Sequence, residues 1–352
     1  MKADLRWFLG ISSLFLSLLL VTAECAHATD LSGTYTSTVA IFDDSRLVGD
    51  VTCAVPVTVS GANPCISFFA DHVKLSLNGH TITGPVANPP GGCSLPSDSG
   101  FGVGIEVNGR RDVKIKGPGV IQKFQRWGIL LQSSDSVRVS NITVNRNCWS
   151  GMQTISTSQS TFEEDVWVNN AAGSNGAACG GICLSNSNNN VMRKSSFYGN
   201  GSLDYTNGNV DFGIGFEGSS QGNQVEGNDI GGNTNGVVFF NTSSDNLVRR
   251  NIIAGNPAAQ VIKAFTASSQ EGADIAFRPN FTGANNVVED NLCLTYLQGA
   301  GPATAPCPNI RTPGVEESTN RQTSPLQSPA ASLVLLGSGL TSLVLWRRRK
   351  AN

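Results

Sequence analysis

The chain has 352 residues and a formal net charge of −2, so no electrostatic argument favours a nucleic acid as its partner. It contains 39 glycines and only 7% aromatic residues, a composition that frequent turns between short strands explain. The length permits a single domain and does not require two.

The N-terminal residues 1–28 have the pattern of a secretory signal peptide. Lys2 and Arg6 precede an apolar stretch, and Ala26-His27-Ala28 has the small-x-small form of a cleavage site. We therefore expect an exported protein, located in the periplasm or at the cell surface.

Removal of the signal peptide would leave eight cysteines, an even number that suits an oxidising compartment. Proximity in sequence favours three pairs: Cys53 with Cys65, Cys179 with Cys183, and Cys293 with Cys307. Cys93 and Cys148 are left over. About 105 connectivities remain possible. Cys179 and Cys183 have a gap that could suit a metal, but no second cysteine pair or histidine pair accompanies them. The sequence therefore predicts disulfides and no metal site.

Residues 29–72 are rich in threonine, valine and serine without a clear repeat, which suits edge strands or a cap. A repeat occupies residues 73–298. Its segments begin with a glycine and an apolar residue, at Gly104, Gly128, Gly151, Gly181, Gly213 and Gly236. Apolar residues usually recur two positions later, as in strands with one buried face, and a short repeat of such strands predicts a solenoid of parallel coils.

Asparagines flank apolar residues in the second half of the repeat, at 140–145, 227–233 and 250–256. Asparagine tolerates left-handed backbone conformations at turns. Stacked copies can also hydrogen-bond along the solenoid, each bond contributing about 1 kcal/mol net.

These repeats resemble the right-handed parallel β-helix of the pectin-lyase-like superfamily, over residues 73–293. The segment Leu77-Asn-Gly-His-Thr-Ile-Thr-Gly84 is similar to the first-coil motif of that group. The resemblance implies an all-β solenoid fold. It implies little about chemistry, because one scaffold hosts many functions.

Residues directly after the anchor glycines are predicted to point inward, which leaves two outward rows. The first is Glu106, Leu130, Gln153, Cys183, Gly215 and Val238, and the second is Asn108, Gln132, Ile155, Ser185, Glu217 and Phe240. Only Glu106 and Glu217 are acidic, and four coils of about 4.8 Å place them about 20 Å apart. That is too far to share a metal ion or a glycosidic bond, so we expect a water-exposed polar face without a calcium cluster.

Two insertions, at 171–180 and 201–210, extend from adjacent coils at the same corner. They should therefore lie side by side along one face of the solenoid. The candidate site residues near them are Asp204, Asp211, Glu217, Arg193 and Tyr205. The three acids and Arg193 are predicted as catalytic groups, and Tyr205 as a stacking partner for a sugar ring. A polar loop without function is the alternative.

An acidic triplet, Glu163-Glu164-Asp165, lies in the second part of its coil. Glu163 and Asp165 are candidate substrate contacts. The alternative, which we favour, is a solvated face on which these acids alternate with Arg193-Lys194 and Arg249-Arg250. No Ser-His-Asp order, phosphate loop or zinc signature is present, and we expect no cofactor.

The C-terminal part changes composition. Residues 299–328 are rich in proline, threonine and serine, which predicts a disordered linker. The tail, 329–352, contains an uncharged apolar run followed by Arg347-Arg-Arg-Lys350, which predicts one transmembrane helix with a cytoplasmic basic end. A buried core helix is the alternative. The tail resembles the PEP-CTERM sorting signal, with Ser328-Pro-Ala330 in place of Pro-Glu-Pro, and this implies an exosortase-type processing enzyme as a partner.

Three functional hypotheses follow. The favoured one is a secreted or surface-anchored β-helix that binds extracellular polysaccharide without cleaving it. The second is a polysaccharide lyase, epimerase or glycoside hydrolase whose site lies under the two insertions. The third is an architectural cell-surface protein without a ligand.

Overall fold

A computed structural model describes residues 28–54, 62–86, 101–171, 179–201, 212–256, 273–278, 281–293, 296–298, 301–303 and 310–311. These residues form strands and turns, and none of them belongs to a helix that could cross a membrane. The predicted signal peptide, apart from Ala28, and the predicted tail at 329–352 lie outside the described residues.

The described residues form thirty strands in two sheets. Sheet I has 11 strands: β2 (Val39–Ile41), β4 (Ala62–Phe68), β7 (Phe101–Asn108), β10 (Trp127–Gln132), β13 (Ser150–Ile155), β16 (Ile182–Ser185), β19 (Ile214–Glu217), β22 (Val237–Phe239), β25 (Ile275–Phe277), β28 (Tyr296–Gln298) and β29 (Gly301–Ala303). Sheet II has 19 strands: β1 (Thr29–Tyr35), β3 (Ser45–Cys53), β5 (Lys74–Ser76), β6 (Thr81–Thr83), β8 (Lys114–Lys116), β9 (Val120–Gln122), β11 (Arg138–Ser140), β12 (Thr143–Asn145), β14 (Thr161–Glu163), β15 (Val166–Val168), β17 (Val191–Arg193), β18 (Ser196–Tyr198), β20 (Gln224–Glu226), β21 (Asp229–Gly231), β23 (Leu247–Arg249), β24 (Ile252–Ala254), β26 (Val287–Glu289), β27 (Leu292–Cys293) and β30 (Ile310–Arg311).

Each coil contributes one strand to sheet I and then two consecutive short strands to sheet II. In one coil these are β10, β11 and β12, and each pairs in parallel with its counterpart in the next coil, β13, β14 and β15. Parallel pairing of equivalent strands is what a stacked repeat requires. The all-β solenoid predicted from the sequence is confirmed.

The interior contains the predicted row of apolar side chains. Its members occupy equivalent positions in successive sheet I strands and are all fully buried: Ile105, Ile129, Met152, Ile182, Ile214, Val237 and Ile275. Burying each such side chain contributes about 1.5–3 kcal/mol. The glycines before them are needed for space: a Cβ at Gly151 would lie 2.8 Å from the carbonyl oxygen of Gly181 and 2.8 Å from the ring of Trp167.

The turns are held by ladders of asparagine side chains, as predicted. In the longest ladder each side-chain oxygen accepts from the backbone N–H of the previous member: Asn147, Asn170, Asn200, Asn233 and Asn256. Two further columns follow the same rule, one through Asn190, Asn223, Asn246 and Asn286, the other through Asn228, Asn251 and Asn291. The buried amides therefore satisfy backbone groups that the turns leave unpaired.

Regular pairing extends beyond both predicted boundaries of the repeat. At the N-terminal end, β1 pairs with β3 and β2 pairs with β4, so parallel coils begin before residue 73 and the edge strands β1 and β2 lie within 29–72. At the other end, β29 and β30 lie within 299–328, where the sequence predicted a disordered linker, and that prediction is wrong for these residues. They pair antiparallel with β28 and β26, strands that offer unpaired backbone groups at the end of the stack.

Candidate functional site

The outer face of sheet I is covered, contrary to the expectation of a water-exposed polar face. The predicted outward rows are in the predicted register, yet Leu130, Cys183 and Val238 are at most 2% exposed, and Gln153 is 8% exposed. The reason is that aromatic side chains from neighbouring outer positions pack with Leu130, Cys183 and Val238. Predicted and observed orientations agree, and the predicted solvent exposure is wrong.

A chain of polar side chains crosses the middle of this face and ends at Glu217. The Gln153 amide donates to the Ser185 hydroxyl at 3.2 Å, and that hydroxyl donates to Oε2 of Glu217 at 2.9 Å. Burial raises the pKa of Glu217, and the hydrogen bond from Ser185 only partly opposes the shift. Glu217 can therefore take up a proton more readily than an exposed glutamate and act as either donor or acceptor.

A disulfide lies directly beside this carboxyl group. Cys179 and Cys183 are bonded as predicted, and Sγ of Cys179 is 3.5 Å from Oε1 of Glu217. The two sulfurs and the carboxylate lie within 4.8 Å of one another, a spacing that three ligands of one metal ion could share. In the disulfide neither sulfur is a thiolate, the form that binds metal ions.

The remaining cysteines agree with the predictions where the structure describes them. Cys53 and Cys65 form the predicted disulfide. Cys148 and Cys293 are also disulfide-bonded. Cys93 and Cys307 lie outside the described residues.

Apolar clusters flank the polar chain on both sides along the solenoid axis. On the C-terminal side, Phe212 folds over Gly215, where an added Cβ would collide with the ring, and contacts Phe240 at 5.6 Å between ring centroids. On the N-terminal side, Trp127 packs with Leu130 and with the partly exposed Trp149. The middle of the face is therefore a polar strip between two aromatic walls.

Arg126 belongs to the N-terminal wall. Its guanidinium carbon lies 4.0 Å from the ring centroids of both Trp127 and Trp149. Sequence reasoning missed Arg126, Trp127 and Trp149 as parts of this face. A usable signal was present, because Trp127 and Phe212 each stand immediately before an anchor glycine.

The predicted partner Arg193 is not part of this face. It lies on β17 of sheet II, where its guanidinium donates to Oε2 of Glu163 at 2.8 Å, and Arg138 binds the other carboxylate oxygen. Burial raises the pKa of Glu163, but the hydrogen bond from Arg193 and the charges of Arg138 and Arg193 outweigh it, so the pKa is below its usual value. Glu163 thus serves an ion-pair ladder that continues with Glu226.

Asp165 occupies a position equivalent to Asn228 in a turn ladder. It is 1% exposed, its Oδ1 accepts from the backbone N–H of Ile142 at 3.0 Å, and its Oδ2 is buried without a hydrogen-bond partner. Burial raises its pKa well above the usual range. A side chain buried this deeply does not reach a bound sugar, which argues against the predicted substrate contact.

Asp204, Tyr205 and Asp211 lie outside the described residues, so their roles remain predictions. Glu106 lies on the same face as Glu217, four strands away, at about 19 Å. Burial raises its pKa, and it accepts a hydrogen bond from Ser67 at 3.0 Å. Among the described residues of this face, Glu217 therefore has no second carboxylate within reach of one glycosidic bond.

A family comparison identifies the scaffold. Residues 103–303 match the model of the right-handed β-helix region. The chain belongs to this family. No curated protein matches the sequence.

Solved structures similar to this β-helix include two phage tailspikes. The Dettilon tailspike protein is 13% identical with a TM-score of 0.50, over 75% of this chain and 55% of the tailspike. The enzymatically active domain of tailspike protein 2 of bacteriophage CBA120 is 14% identical with a TM-score of 0.51, over 79% of this chain and 42% of that one. This β-helix therefore spans about half of the tailspike chains or less, and at such identities the likeness shows the fold alone. An alginate lyase from Paenibacillus sp. str. FPU-7 is 15% identical with a TM-score of 0.49, over 76% of this chain and all of the lyase.

The geometry defines what this β-helix can offer a ligand. The outer face of sheet I combines a hydrogen-bonding strip, Gln153-Ser185-Glu217, with aromatic walls at Trp149 and Phe240, both of which are partly exposed. Hydroxyl-rich rings bind through such a combination of stacking and directed hydrogen bonds.

Proposed function

We propose that the outer face of sheet I binds an extracellular polysaccharide without cleaving it. The observation that carries this proposal is the polar strip Gln153-Ser185-Glu217, which lies between two aromatic walls and ends at the carboxyl group of Glu217. Strands at a regular spacing of about 4.8 Å present this face as a linear track, and that spacing is close to the length of one sugar unit.

Binding without cleavage agrees with the spacing of the acids. Glycoside hydrolysis generally uses two carboxylates about 5–9.5 Å apart. Glu106 is about 19 Å from Glu217 along the axis, and Glu163 belongs to the ion-pair ladder of sheet II. Within reach of one glycosidic bond, the described residues of the face therefore supply one proton-transfer group and not two.

A second candidate is a lyase or epimerase, and the raised pKa of Glu217 favours it. A carboxyl group whose pKa is raised by burial gives up and takes up a proton at a higher pH than an exposed glutamate, which suits it to proton transfer. The insertions at 171–180 and 201–210, with Asp204 and Asp211, would have to supply the rest of such a site. An architectural role without a ligand is the outcome if no glycan binds.

Export is part of the proposal. Disulfides at Cys53–Cys65 and Cys179–Cys183 are typical of proteins that fold in oxidising compartments, as expected if residues 1–28 are a signal peptide. We place the β-helix outside the inner membrane, anchored through 329–352 unless an exosortase-type enzyme cleaves there. Mass spectrometry of the mature C-terminus tests the cleavage.

The proposed function is tested by incubating the purified protein with pectate, alginate and neutral glucans. Affinity electrophoresis measures binding, and reducing ends together with the ultraviolet absorbance of unsaturated sugars measure cleavage. We expect binding that Trp149→Ala weakens about tenfold, since stacking of one ring contributes about 1 kcal/mol or more. Product formation that Glu217→Gln abolishes would instead favour the lyase or epimerase.

A further inference from the structure

Three side chains of types that bind metal ions lie together at the end of the polar strip. They are Cys179, Cys183 and Glu217, and their ligand atoms all lie within 4.8 Å of one another. Among the residues that the structure describes, no other group of three or more histidine, cysteine or acidic side chains meets that spacing. The disulfide between Cys53 and Cys65 therefore has no third ligand of this kind beside it in the described part of the chain.

Two paired strands bring the carboxylate to the cysteines. Cys183 lies on β16 and Glu217 on β19, and these strands pair in parallel with Ser185 directly opposite Glu217. Cys183 and Ser185 are two residues apart on one strand, so they face the same side. The sequence argued against a metal because no second cysteine pair or histidine pair accompanies Cys179 and Cys183. The fold supplies a carboxylate from the next coil as the third ligand.

The distances suit a single small cation. Sγ of Cys179 is 3.5 Å from Oε1 of Glu217. Zn–S and Zn–O bonds of about 2.3 Å and about 2.0 Å at a tetrahedral angle place their ligand atoms about 3.5 Å apart, and two thiolates of one Zn²⁺ about 3.8 Å apart. The Cα atoms of Cys179 and Cys183 are 5.4 Å apart, so rotation of the side chains gives the sulfurs that separation once they are no longer bonded.

The surroundings orient the carboxylate and shield the inner sulfur. The Ser185 hydroxyl donates to Oε2 of Glu217 at 2.9 Å, which leaves Oε1 toward Cys179. Hydrogen bonds of this kind orient the ligands of metal sites. Cys183 is fully buried in an apolar cluster with Phe212, whereas Cys179 is 8% exposed. Cys179 is therefore the more accessible of the two cysteines.

We propose that reduction of the Cys179–Cys183 disulfide turns this group into a site for one thiophilic divalent cation, with Zn²⁺ as the best match. A dithiol reductant supplies two electrons and two protons: its own sulfurs become a disulfide, and the two cysteines become thiols. Zn²⁺ then displaces the two thiol protons, and the Glu217 carboxylate completes a set of two sulfur ligands and one oxygen.

The ligand set decides which ions fit. Calcium and magnesium take oxygen ligands, whereas thiolates select zinc and similar soft or borderline metals. Three protein ligands leave the fourth tetrahedral position open to water or another molecule. In the oxidised protein the sulfurs are bonded to each other, so the redox state decides whether the site exists.

The test titrates Co²⁺, whose absorption bands report tetrahedral coordination and thiolate ligands, into the oxidised and the reduced protein. No glycan takes part, so the result does not depend on the proposed function. The whole protein is reduced with dithiothreitol, freed of reductant without air, and examined by alkylation with mass spectrometry for thiols at Cys179 and Cys183. Circular dichroism checks that it stays folded. The matched control is Cys53→Ser, which breaks a disulfide that has no third ligand among the described residues.

We expect the reduced wild type to bind Co²⁺ with the charge-transfer band of thiolate ligands, and Zn²⁺ to displace it. The oxidised protein should show no such band. Cys179→Ser should lose this binding and Cys53→Ser should retain it. Ser185→Ala removes the hydrogen bond that orients the carboxylate and should weaken binding about tenfold. Glu217→Gln removes a ligand and should weaken it further.

Four results would overturn the proposal. The disulfide resists reduction, or the protein unfolds when it is reduced; the reduced wild type binds no Co²⁺; Co²⁺ binds the oxidised and reduced forms equally; or Cys179→Ser leaves binding unchanged, which places the ion at other cysteines. Should Cys179→Ser fail to fold, Glu217→Gln decides, because glutamine keeps the shape of the side chain. An affinity for Co²⁺ equal to that of the wild type then refutes the site, and a lower affinity at an unchanged melting temperature supports it.

Discussion

The two sheets of the solenoid each present a largely buried glutamate on the outer face, and the two carboxyl groups differ in nearly every other respect. Glu163 of sheet II lies between two arginines, and its pKa is lowered. Glu217 of sheet I has a serine hydroxyl and a disulfide as neighbours, and its pKa is raised. An outer-face glutamate is thus a carboxylate in sheet II and a more readily protonated acid in sheet I.

The difference lies in what the neighbouring coils supply. In sheet II, in-register positions on successive coils carry opposite charges, namely Glu163, Arg193, Glu226, Arg249 and Glu289. Such a ladder satisfies itself and needs no ligand. In sheet I, the neighbours are small or apolar, so the polar atoms at its centre are the ones left for another molecule.

The largest expected effect on the free energy of unfolding comes from placing a charged side chain on the outer face of sheet I. The same kind of substitution on the outer face of sheet II serves as the comparison. Leu130→Asp should destabilise by about 3–5 kcal/mol, because position 130 is 2% exposed and packs against Trp127. Val191→Asp, at a partly exposed outward position of sheet II, should cost about 1 kcal/mol or less. Urea unfolding of both variants measures the two free energies of unfolding. Similar losses would mean that the outer faces do not differ in burial.

A second test removes the charge of Glu163. Glu163→Gln leaves Arg138 and Arg193 without their shared anion, and since both arginines are about half exposed we expect a loss of about 1–2 kcal/mol at neutral pH. The matched control is Glu164→Gln, an exposed neighbour whose lysine contact is 4.0 Å long. A loss no greater than that of the control would remove the argument that the ladder stabilises sheet II.

The pH dependence of stability tests the sign of the contribution that the Glu163 carboxylate makes to the free energy of unfolding. Because the folded pKa of Glu163 is lowered, its stabilisation is present above the pKa of the unfolded chain and is lost as the pH falls through the folded pKa. The wild type should therefore lose stability in acid more steeply than Glu163→Gln. Thermal melts between neutral pH and about pH 3 measure the two slopes.

Asp165, two residues beyond Glu163, should show the opposite behaviour. Asp165→Asn supplies the amide that Asn228 has in the same ladder, and it should stabilise the protein by about 1 kcal/mol at neutral pH. The folded pKa of Asp165 is raised, so wild-type stability should decline as the pH rises from the unfolded toward the folded pKa. The variant should lack that decline. Destabilisation by asparagine would show that the carboxylate form is preferred.

The residues of the interior could be predicted because the glycine-apolar pattern that places them repeats along the sequence. Ile129, Met152 and Ile182 follow anchor glycines at regular spacing, and alternation within a strand decides which side chains point inward. The asparagine ladders follow from the same alignment. The position of Asp165 in such a ladder could also be predicted, because Asp165 aligns with Asn228 and Asn251 in the sequence repeat.

The covering of the outer face could not be predicted in the same way. Whether Leu130 meets water depends on Trp127 and Trp149, which reach over it from another strand position and another coil. Arg193 of β17 and Glu217 of β19 lie in different sheets, and strand β18 lies between them along the chain. Local periodicity fixes a side chain's direction and says nothing about what packs on top of it.

The smallest expected effect on stability is that of Glu217→Gln, and it separates a functional acid from a structural one. Glutamine keeps the shape and the hydrogen bond from Ser185, so the free energy of unfolding at neutral pH should change by about 0.5 kcal/mol or less. The folded pKa of Glu217 is raised, so any change should be a gain that grows as the pH rises above the unfolded pKa. Glycan affinity should fall much more than stability does. A stability loss as large as that of Glu163→Gln, with affinity unchanged, would mean that both glutamates serve the fold and that the contrast between the two faces is one of packing alone.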